Sequence, residues 1–469
     1  MGENQREGLQ GMGPWQSVLA RNGLCLATPI GLCAHDCGMN AALIVQGPIG
    51  ADMEKLPFLT EAQVRAVRRE FGTPTYVYDQ RKLEEQARAL LNFPNAYGLT
   101  ARFAMKTLPS RAVIQIFSRM GLHIDASSGY EAERAMEAGV PPEHIQLTAQ
   151  QLPHNLKELV DKGVLFNACS LYQLEAYGKL FPGTEVCVRI NPGLGSGHSN
   201  RTNVGGPSAS FGIWHEHLRE VFQIQERYGL RVSRMHTHIG SGTDPAVWNR
   251  CAQLSLGIAA RIPEVTTLSL GGGFKVGRMA LDESADLQAI GQHVVRDFEA
   301  FAEQQGRELH LELEPGTFLV ANAGVIICSV IDVVDTGKDG YNFIKIDSGM
   351  TEILRPSLYG AQHPIVVVPA TSEARRHEDY LVVGHCCESG DVLTPEPGNP
   401  EGLQTRTLLE ARIGDLLVIG GAGAYCAAMS AKNYNSFPEA PEVLHTLDGE
   451  LKLIRKRQTL EQVTQNEVV

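Results

Sequence analysis

From about residue 97 to about residue 316 the chain repeats one pattern: a short apolar run, a stretch with helical periodicity, then another apolar run. The runs fall at Leu99–Met105, Leu122–Asp125, Ile145–Thr148, Val164–Ala168, Glu185–Ile190, Val232–His238, Thr266–Leu270 and His310–Leu313. Between them lie stretches such as Pro109–Met120, Gly129–Ala138, Glu216–Tyr228 and Asp286–Gln305, whose apolar residues recur at helical spacing. Short buried strands joined by helices pair in parallel, because a parallel pair needs a crossover of about a dozen residues or more. Eight such units predict an α/β fold in which a parallel (β/α)8 barrel closes on itself.

After about Gly316 helices become scarce and β-branched runs take over, at Val325–Val334, Phe343–Ile346, Ile365–Val368, Tyr380–Val383 and Asp415–Ile419. Turn residues separate them, which predicts a mostly antiparallel β-barrel or sandwich. Pro395–Gly402 reads as a surface loop. Upstream, Thr60 and Gln63 form a capping box for a helix reaching about Phe71, and the strand-like Thr75–Tyr78 is expected to join the β domain. The predicted division is therefore an extension over residues 1–52, a segment over 53–96 contributing to the β domain, a barrel over 97–316 and a β domain over 317–469. The extension is rich in Gly, Cys and Asn without a sustained period and is expected to be poorly ordered. Its Cys33, His35 and Cys37 fall short of the four ligands a structural zinc site usually needs. Met53 then begins a segment that reads like an ordinary N-terminus.

Charge narrows the class of partner. With 41 basic against 53 acidic residues the formal net charge is −12, which argues against nucleic acid or an anionic membrane and leaves a small molecule. No apolar run has the length of a bilayer span, no secretory signal is legible, and ten cysteines are scattered without a repeating spacing. A cytoplasmic, reducing location is expected.

In such barrels chemistry sits at the carboxyl ends of the strands. The polar residues falling there are Lys106 after the first run, Asp125 after the second, Arg189 and Asn191 after the fifth, His236 and His238 after the sixth with Gly240 and Ser241 beyond, Gly271, Gly272 and Gly273 after the seventh, and Glu314 with Gly316 after the eighth. The loops after strands seven and eight commonly hold a phosphate, and glycines let backbone N–H groups approach it. Lys106 closes an apolar strand across from that turn. Partial desolvation would lower its pKa and free the amine to attack a carbonyl. A lysine, a phosphate cradle, a stacking imidazole at His238 and a carboxylate at Glu314 together specify pyridoxal 5'-phosphate. The rival use of His236 and His238 as metal ligands lacks a carboxylate or cysteine at a matching offset, so no metal site is expected.

Nine motifs extend this reading: FAMK ending at Lys106, VRINPG from Val188, FGI at Phe211, HIGSG from His238, GGGF from Gly271, EPG from Glu314, RPSLYG from Arg355, CESGD from Cys387 and GAYCAAMSAKNYN from Gly423. In this combination, from about Thr73 to about Pro438, the chain resembles the alanine-racemase-fold pyridoxal-phosphate decarboxylases, and among them the diaminopimelate decarboxylase family. The resemblance implies decarboxylation of meso-2,6-diaminopimelate to L-lysine. It implies that Lys106 bonds to the cofactor aldehyde, that His238 stacks on the ring, and that Ser241 and Gly271–Gly273 hold the phosphate. Glu314 is then the partner of the ring nitrogen, and Tyr425 lies beside the cofactor. Arg355 and Tyr359 grip the distal carboxylate of the substrate, Glu388 meets its distal ammonium, and Cys387 is the acid that reprotonates the carbanion. In the family the last two come from a second subunit, so a homodimer is implied.

The chain departs from the family pattern after EPG, where the usual arginine is Thr317, and before FGI, where Ser210 replaces a frequent lysine. Thr317 keeps a related decarboxylase acting on another amino acid or a carboxylated polyamine in view. A racemase is disfavoured by the CESGD and RPSLYG segments. A non-catalytic homologue is disfavoured by retention of Lys106 and Cys387.

Overall fold

A computed structural model describes residues 54–194, 205–238 and 245–468, with the side chain of Pro245 excluded. The predicted extension with Cys33, His35 and Cys37, the Met53 start, and Gly240 and Ser241 lie outside the described residues.

Eight parallel strands close a barrel: β1 (Leu99–Ala104), β2 (His123–Ala126), β3 (Ile145–Leu147), β4 (Leu165–Ala168), β5 (Glu185–Asn191), β6 (Arg231–His236), β7 (Thr267–Ser269) and β8 (His310–Leu313). Each pairs in parallel with its neighbour, and β8 returns to β1 with Leu311 opposite Leu99. Helices at Arg111–Arg119, Gly129–Glu137, Leu156–Asp161, Leu171–Leu180, Leu218–Tyr228, Pro245–Ala259 and Leu287–Gln305 form the crossovers. Their starts follow local chemistry: the side chains of Ser128, Ser170 and Asp286 accept the first free backbone N–H groups. The predicted start at Glu216 gives way to a 3-10 turn, His215–His217, ahead of Leu218. Helix Gln80–Leu91 precedes β1 in the chain and packs on the barrel side, against β1 and Thr317–Val320.

The second region is a nine-stranded sheet around Gly324–Asp335. Thr75–Asp79 lies beside that strand antiparallel and beside Glu442–His445 in parallel, so the β region is mixed at two of its pairings, the other being Asn342–Ile346 with His377–Val383. The TYVYD strand is buried along its whole length. Val77 faces one apolar cluster, with Val64 and Val67 of helix Glu61–Phe71, while Tyr76 and Tyr78 face the main core, as period-two alternation requires. The capping box at that helix is present, with the Thr60 hydroxyl accepting from Gln63 N and the Gln63 side chain accepting from Thr60 N at 2.9 Å.

Two local expectations change. Pro395–Gly402, expected to be a loop, contains the hairpin Pro395–Glu396 and Asn399–Leu403. It is docked on the β region by Gly398 N donating to Gly360 O at 3.0 Å and by Gln362 Nε2 donating to Pro395 O at 2.9 Å. The strand signal was masked by its prolines and glycines, which occupy turn and edge positions that a short hairpin tolerates. Arg355, expected in extended geometry because proline follows, instead opens the one-turn helix Arg355–Tyr359. Pro356 sits in that first turn, where no N–H is needed, and Gly360 ends it at φ 63°.

Candidate active site

The carboxyl ends of the barrel strands open into a cleft of about 1520 Å³ whose far wall is built by the β region. Lys106, Asp125, Arg189, His236, His238, Gly272, Gly273, Glu314, Gly316, Arg355, Tyr359 and Tyr425 all line it. Lys106 sits in a 3-10 turn, Met105–Thr107, directly after β1, and its side chain lines the cleft, with its amine enclosed among the other polar groups of the mouth. Two features hold that turn. Gly316 packs so closely that a Cβ there would lie 2.3 Å from Thr107 Cγ2, and Tyr425 N donates to Thr107 O at 2.9 Å. Tyr425 reaches this position with φ 57°, a left-handed conformation uncommon for a tyrosine and costly unless its surroundings enforce it.

The expected depression of the Lys106 pKa does not occur. Burial pushes it down, but Tyr425, Asp125 and Glu314 around the amine outweigh burial and the opposing Arg189, and the net direction is up. An apolar strand foretold the desolvation; the anionic groups converging from other strands are a tertiary fact.

Glu314, just beyond β8, is the best-satisfied carboxylate of the mouth. Oε2 lies 2.8 Å from His236 Nε2, while Oε1 accepts from Ser269 Oγ at 2.8 Å and Gln146 Nε2 at 2.7 Å. Burial opposes its ionisation, yet His236 and these hydrogen bonds hold it well below the usual carboxylate range. Three of roughly four lone-pair positions are filled, leaving one for a ligand. Asp125 is the opposite case. Burial, then the charge of Glu314, push it up to about 7 against the pull of Lys106, and its Oδ1 has no partner.

The glycine turn after β7 is shaped by close approach. Gly271 has φ 70° and Gly273 φ 94°, where a Cβ is strained. A Cβ on Gly272 would fall 2.4 Å from Glu314 O. Gly272 N donates to His238 Nδ1 at 3.3 Å, which leans the imidazole on the turn. Gly271 lies behind that ring, since a Cβ there would meet His238 Nδ1 at 2.6 Å, so it makes room for the imidazole without lining the cleft. Burial, then Arg189 and Lys106, keep His238 well below its ordinary pKa, so the ring is neutral. Arg189 lies over the Phe211 ring at 5.0 Å. Asn191 is a loop organiser: its Oδ1 accepts from Gly193 N and Gly206 N at 3.1 and 2.9 Å.

Cys387 and Glu388 are exposed and do not line this chain's cleft. Cys387 N donates to Asn435 Oδ1 at 2.8 Å, and Glu388 Oε1 accepts from Gly390 N at 3.1 Å. Ser241 lies outside the described residues.

Three groups escaped the sequence reading. Gln146 on β3 and Ser269 on β7 both bond Glu314; each is a polar residue inside an otherwise apolar barrel strand, which is the signal that marks them. Arg278 lines the cleft from the irregular loop after the glycine turn, where no periodicity announces a role. Its Nε donates to Gly421 O at 3.1 Å.

These residues fit pyridoxal phosphate: a lysine amine lining the cleft, an ionised carboxylate with a free acceptor position, a neutral imidazole, and a glycine turn where side chains would collide. Comparison with known proteins agrees. Residues 81–321 match the family model described as the pyridoxal-binding domain of pyridoxal-dependent decarboxylases. The chain is similar to diaminopimelate decarboxylase of Escherichia coli strain K12, 34% identical over 414 residues that cover 86% of this chain and 96% of that one. It is also similar to diaminopimelate decarboxylase of Streptomyces coelicolor, 35% identical over 423 residues covering 88% and 93%. A crystal structure of diaminopimelate decarboxylase superposes with a TM-score of 0.80 at 34% identity, covering 87% of this chain and 96% of that one.

Proposed function

The chain belongs to the pyridoxal-dependent decarboxylases of the diaminopimelate decarboxylase family, and on that premise we propose that its barrel-mouth cleft converts meso-2,6-diaminopimelate to L-lysine and carbon dioxide. The observation that carries the reading is a single cleft in which Lys106 and Glu314 of the barrel meet Arg355, Tyr359 and Tyr425 of the β region. Pyridoxal 5'-phosphate, when bound, supplies an aldehyde for the substrate amine and a cationic ring that takes up the electron pair of the breaking carbon–carboxylate bond.

The chain's own residues do the rest. Lys106 Nζ would hold the cofactor through its aldehyde and, once freed, stands in the cleft as an amine able to hold a proton. Glu314, kept ionised by His236, Ser269 and Gln146, favours a proton on the ring nitrogen. Asp125, poised near neutrality, faces the same amine from β2. His238 would stack on the ring, and the turn at Gly272 and Gly273 would take the phosphate, with Arg189 and Gly316 lining the same cleft; Ser241, which the family resemblance adds to the phosphate site, lies outside the described residues. Arg355, whose guanidinium lies 6.0 Å from the Tyr359 ring, receives the distal carboxylate together with that tyrosine. Cys387 and Glu388, exposed here, complete the cleft of a second copy: Cys387 Sγ delivers a proton to the carbon that has lost carbon dioxide, and Glu388 meets the distal ammonium. The active species is then a homodimer. No described helix is long and apolar enough to cross a membrane. The free thiols Cys169, Cys187, Cys251, Cys328, Cys386, Cys387 and Cys426 suit a reducing cytoplasm.

Carbon dioxide release from meso-diaminopimelate, ornithine, arginine and lysine tests the substrate. Only the first should be turned over, and release from ornithine at a comparable rate refutes the assignment. Lys106→Ala should lose both turnover and the visible absorbance of the lysine-bound cofactor; retained turnover refutes its role.

A further inference from the structure

Arg278 and Arg355 both line the cleft and lie close enough that the charge of one acts on the other. Burial, then Arg355, push Arg278 down to about 9. Both cations also act on buried Cys426 and His363, which places them at one locus. Two guanidinium groups lining one cleft repel, and an enclosed N–H without an acceptor is costly. Arg278 Nη2 and Arg355 Nε are both fully enclosed and without partners. The nearest carboxylate on the Arg278 loop, Asp282, is turned to the backbone, where Oδ2 accepts from Arg278 N at 3.2 Å and Met279 N at 3.1 Å.

Arg278 is nevertheless built in. Its Nε bond to Gly421 O fixes the fork, and Gly421 lets the stem run against the backbone, since a Cβ there would lie 3.0 Å from Cγ and Cδ of Arg278. Asp282 acts on Arg278 by charge without pairing with its guanidinium, so two arginines lining one cleft can receive a planar anion, because a carboxylate supplies acceptors to both forks at once. Thr317 lines the same cleft in place of the arginine expected after Glu-Pro-Gly.

Resting on the substrate reading above, we propose that Arg278 is a specificity-determining residue: it is the second arm of a two-arginine clamp on the carboxylate that the substrate retains, taking over the charge missing at Thr317. The clamp selects ligands with an amino-acid terminus over plain diamines, since a diamine leaves both forks empty.

L-Lysine and cadaverine differ by that one carboxylate and serve as probes on the holoenzyme, by titration calorimetry alongside steady-state kinetics. In Arg278→Gln, the KM for meso-diaminopimelate should rise roughly 10- to 100-fold with a smaller change in kcat. Lysine affinity should fall by a similar factor and cadaverine affinity should hold within about twofold. Adding Thr317→Arg to Arg278→Gln should recover most of the lysine affinity. A folded Arg278→Gln with unchanged KM and lysine affinity overturns the clamp. Equal losses for lysine and cadaverine overturn it too, because they mark a structural arginine. Should the wild-type enzyme release no carbon dioxide from meso-diaminopimelate, the substrate reading falls, and the lysine-against-cadaverine comparison decides the clamp on its own.

Discussion

Glu312 and Glu314 stand two residues apart at the end of β8, and both are buried, yet their surroundings do different work. Glu312, one layer deeper, takes Arg102 on Oε1 at 2.8 Å and Arg234 on Oε2. Burial opposes its ionisation, and the two cations overcome it. Glu312, Arg102 and Arg234 do not line the cleft, and their charges pair with one another. Glu314, one layer up, is held by a neutral imidazole, a hydroxyl and an amide, and shares its space with Asp125 and Lys106. Gln146 joins the layers, accepting from Arg234 and donating to Glu314. The lower layer sets two arginines on one carboxylate and leaves Arg102 Nε and Nη1 without partners; the upper one holds its carboxylate through His236, Ser269 and Gln146 and leaves Asp125 Oδ1 without one. Access separates the layers: Glu314, Asp125 and Lys106 line the cleft, and Glu312, Arg102 and Arg234 do not.

Exchanging the two carboxylates for amides should break the comparison in opposite directions. The largest effect is expected for Glu312→Gln, which strands Arg102 and Arg234 and should cost about 3 kcal/mol or more of stability. It would be read as a fall in denaturant midpoint, with kcat per folded molecule little changed. Glu314→Gln should reduce kcat roughly 100-fold, about 2.7 kcal/mol of barrel-mouth stabilisation, while shifting the denaturation midpoint far less. If Glu314→Gln unfolds the protein as readily as Glu312→Gln, the distinction between the layers is wrong.

The mildest test concerns Asp125, whose folded pKa near 7 exceeds its unfolded value. Its neutral form is the one the fold prefers. The stability it lends is therefore complete below about pH 4 and is lost as pH rises through about 7. In the cofactor-free chain, melting of the wild type should decline over that window more than melting of Asp125→Asn, with the two curves running parallel above about pH 8. Parallel curves throughout would mean that Asp125 is ionised already at low pH.

The barrel, the mostly antiparallel β domain and the polar residues at the strand ends were legible in the chain because they rest on local rules, while the two parallel pairings of the β region were not. Apolar runs of strand length, helical spacing between them and polar residues at the run ends need no knowledge of distant partners, and Lys106, Asp125, His238 and Glu314 were found in this way. What the tertiary structure alone decided is what each group meets. The amine of Lys106 rises in pKa because acidic groups from β2, β8 and the β region, Asp125, Glu314 and Tyr425, converge on it. Arg278 matters because a loop without periodicity brings it beside Arg355, which follows about eighty residues later. Cys387 and Glu388 do not line this chain's cleft. Periodicity reports which face a side chain takes; electrostatics depends on distances between segments far apart in the chain, and only closure of the barrel and docking of the β region set those distances.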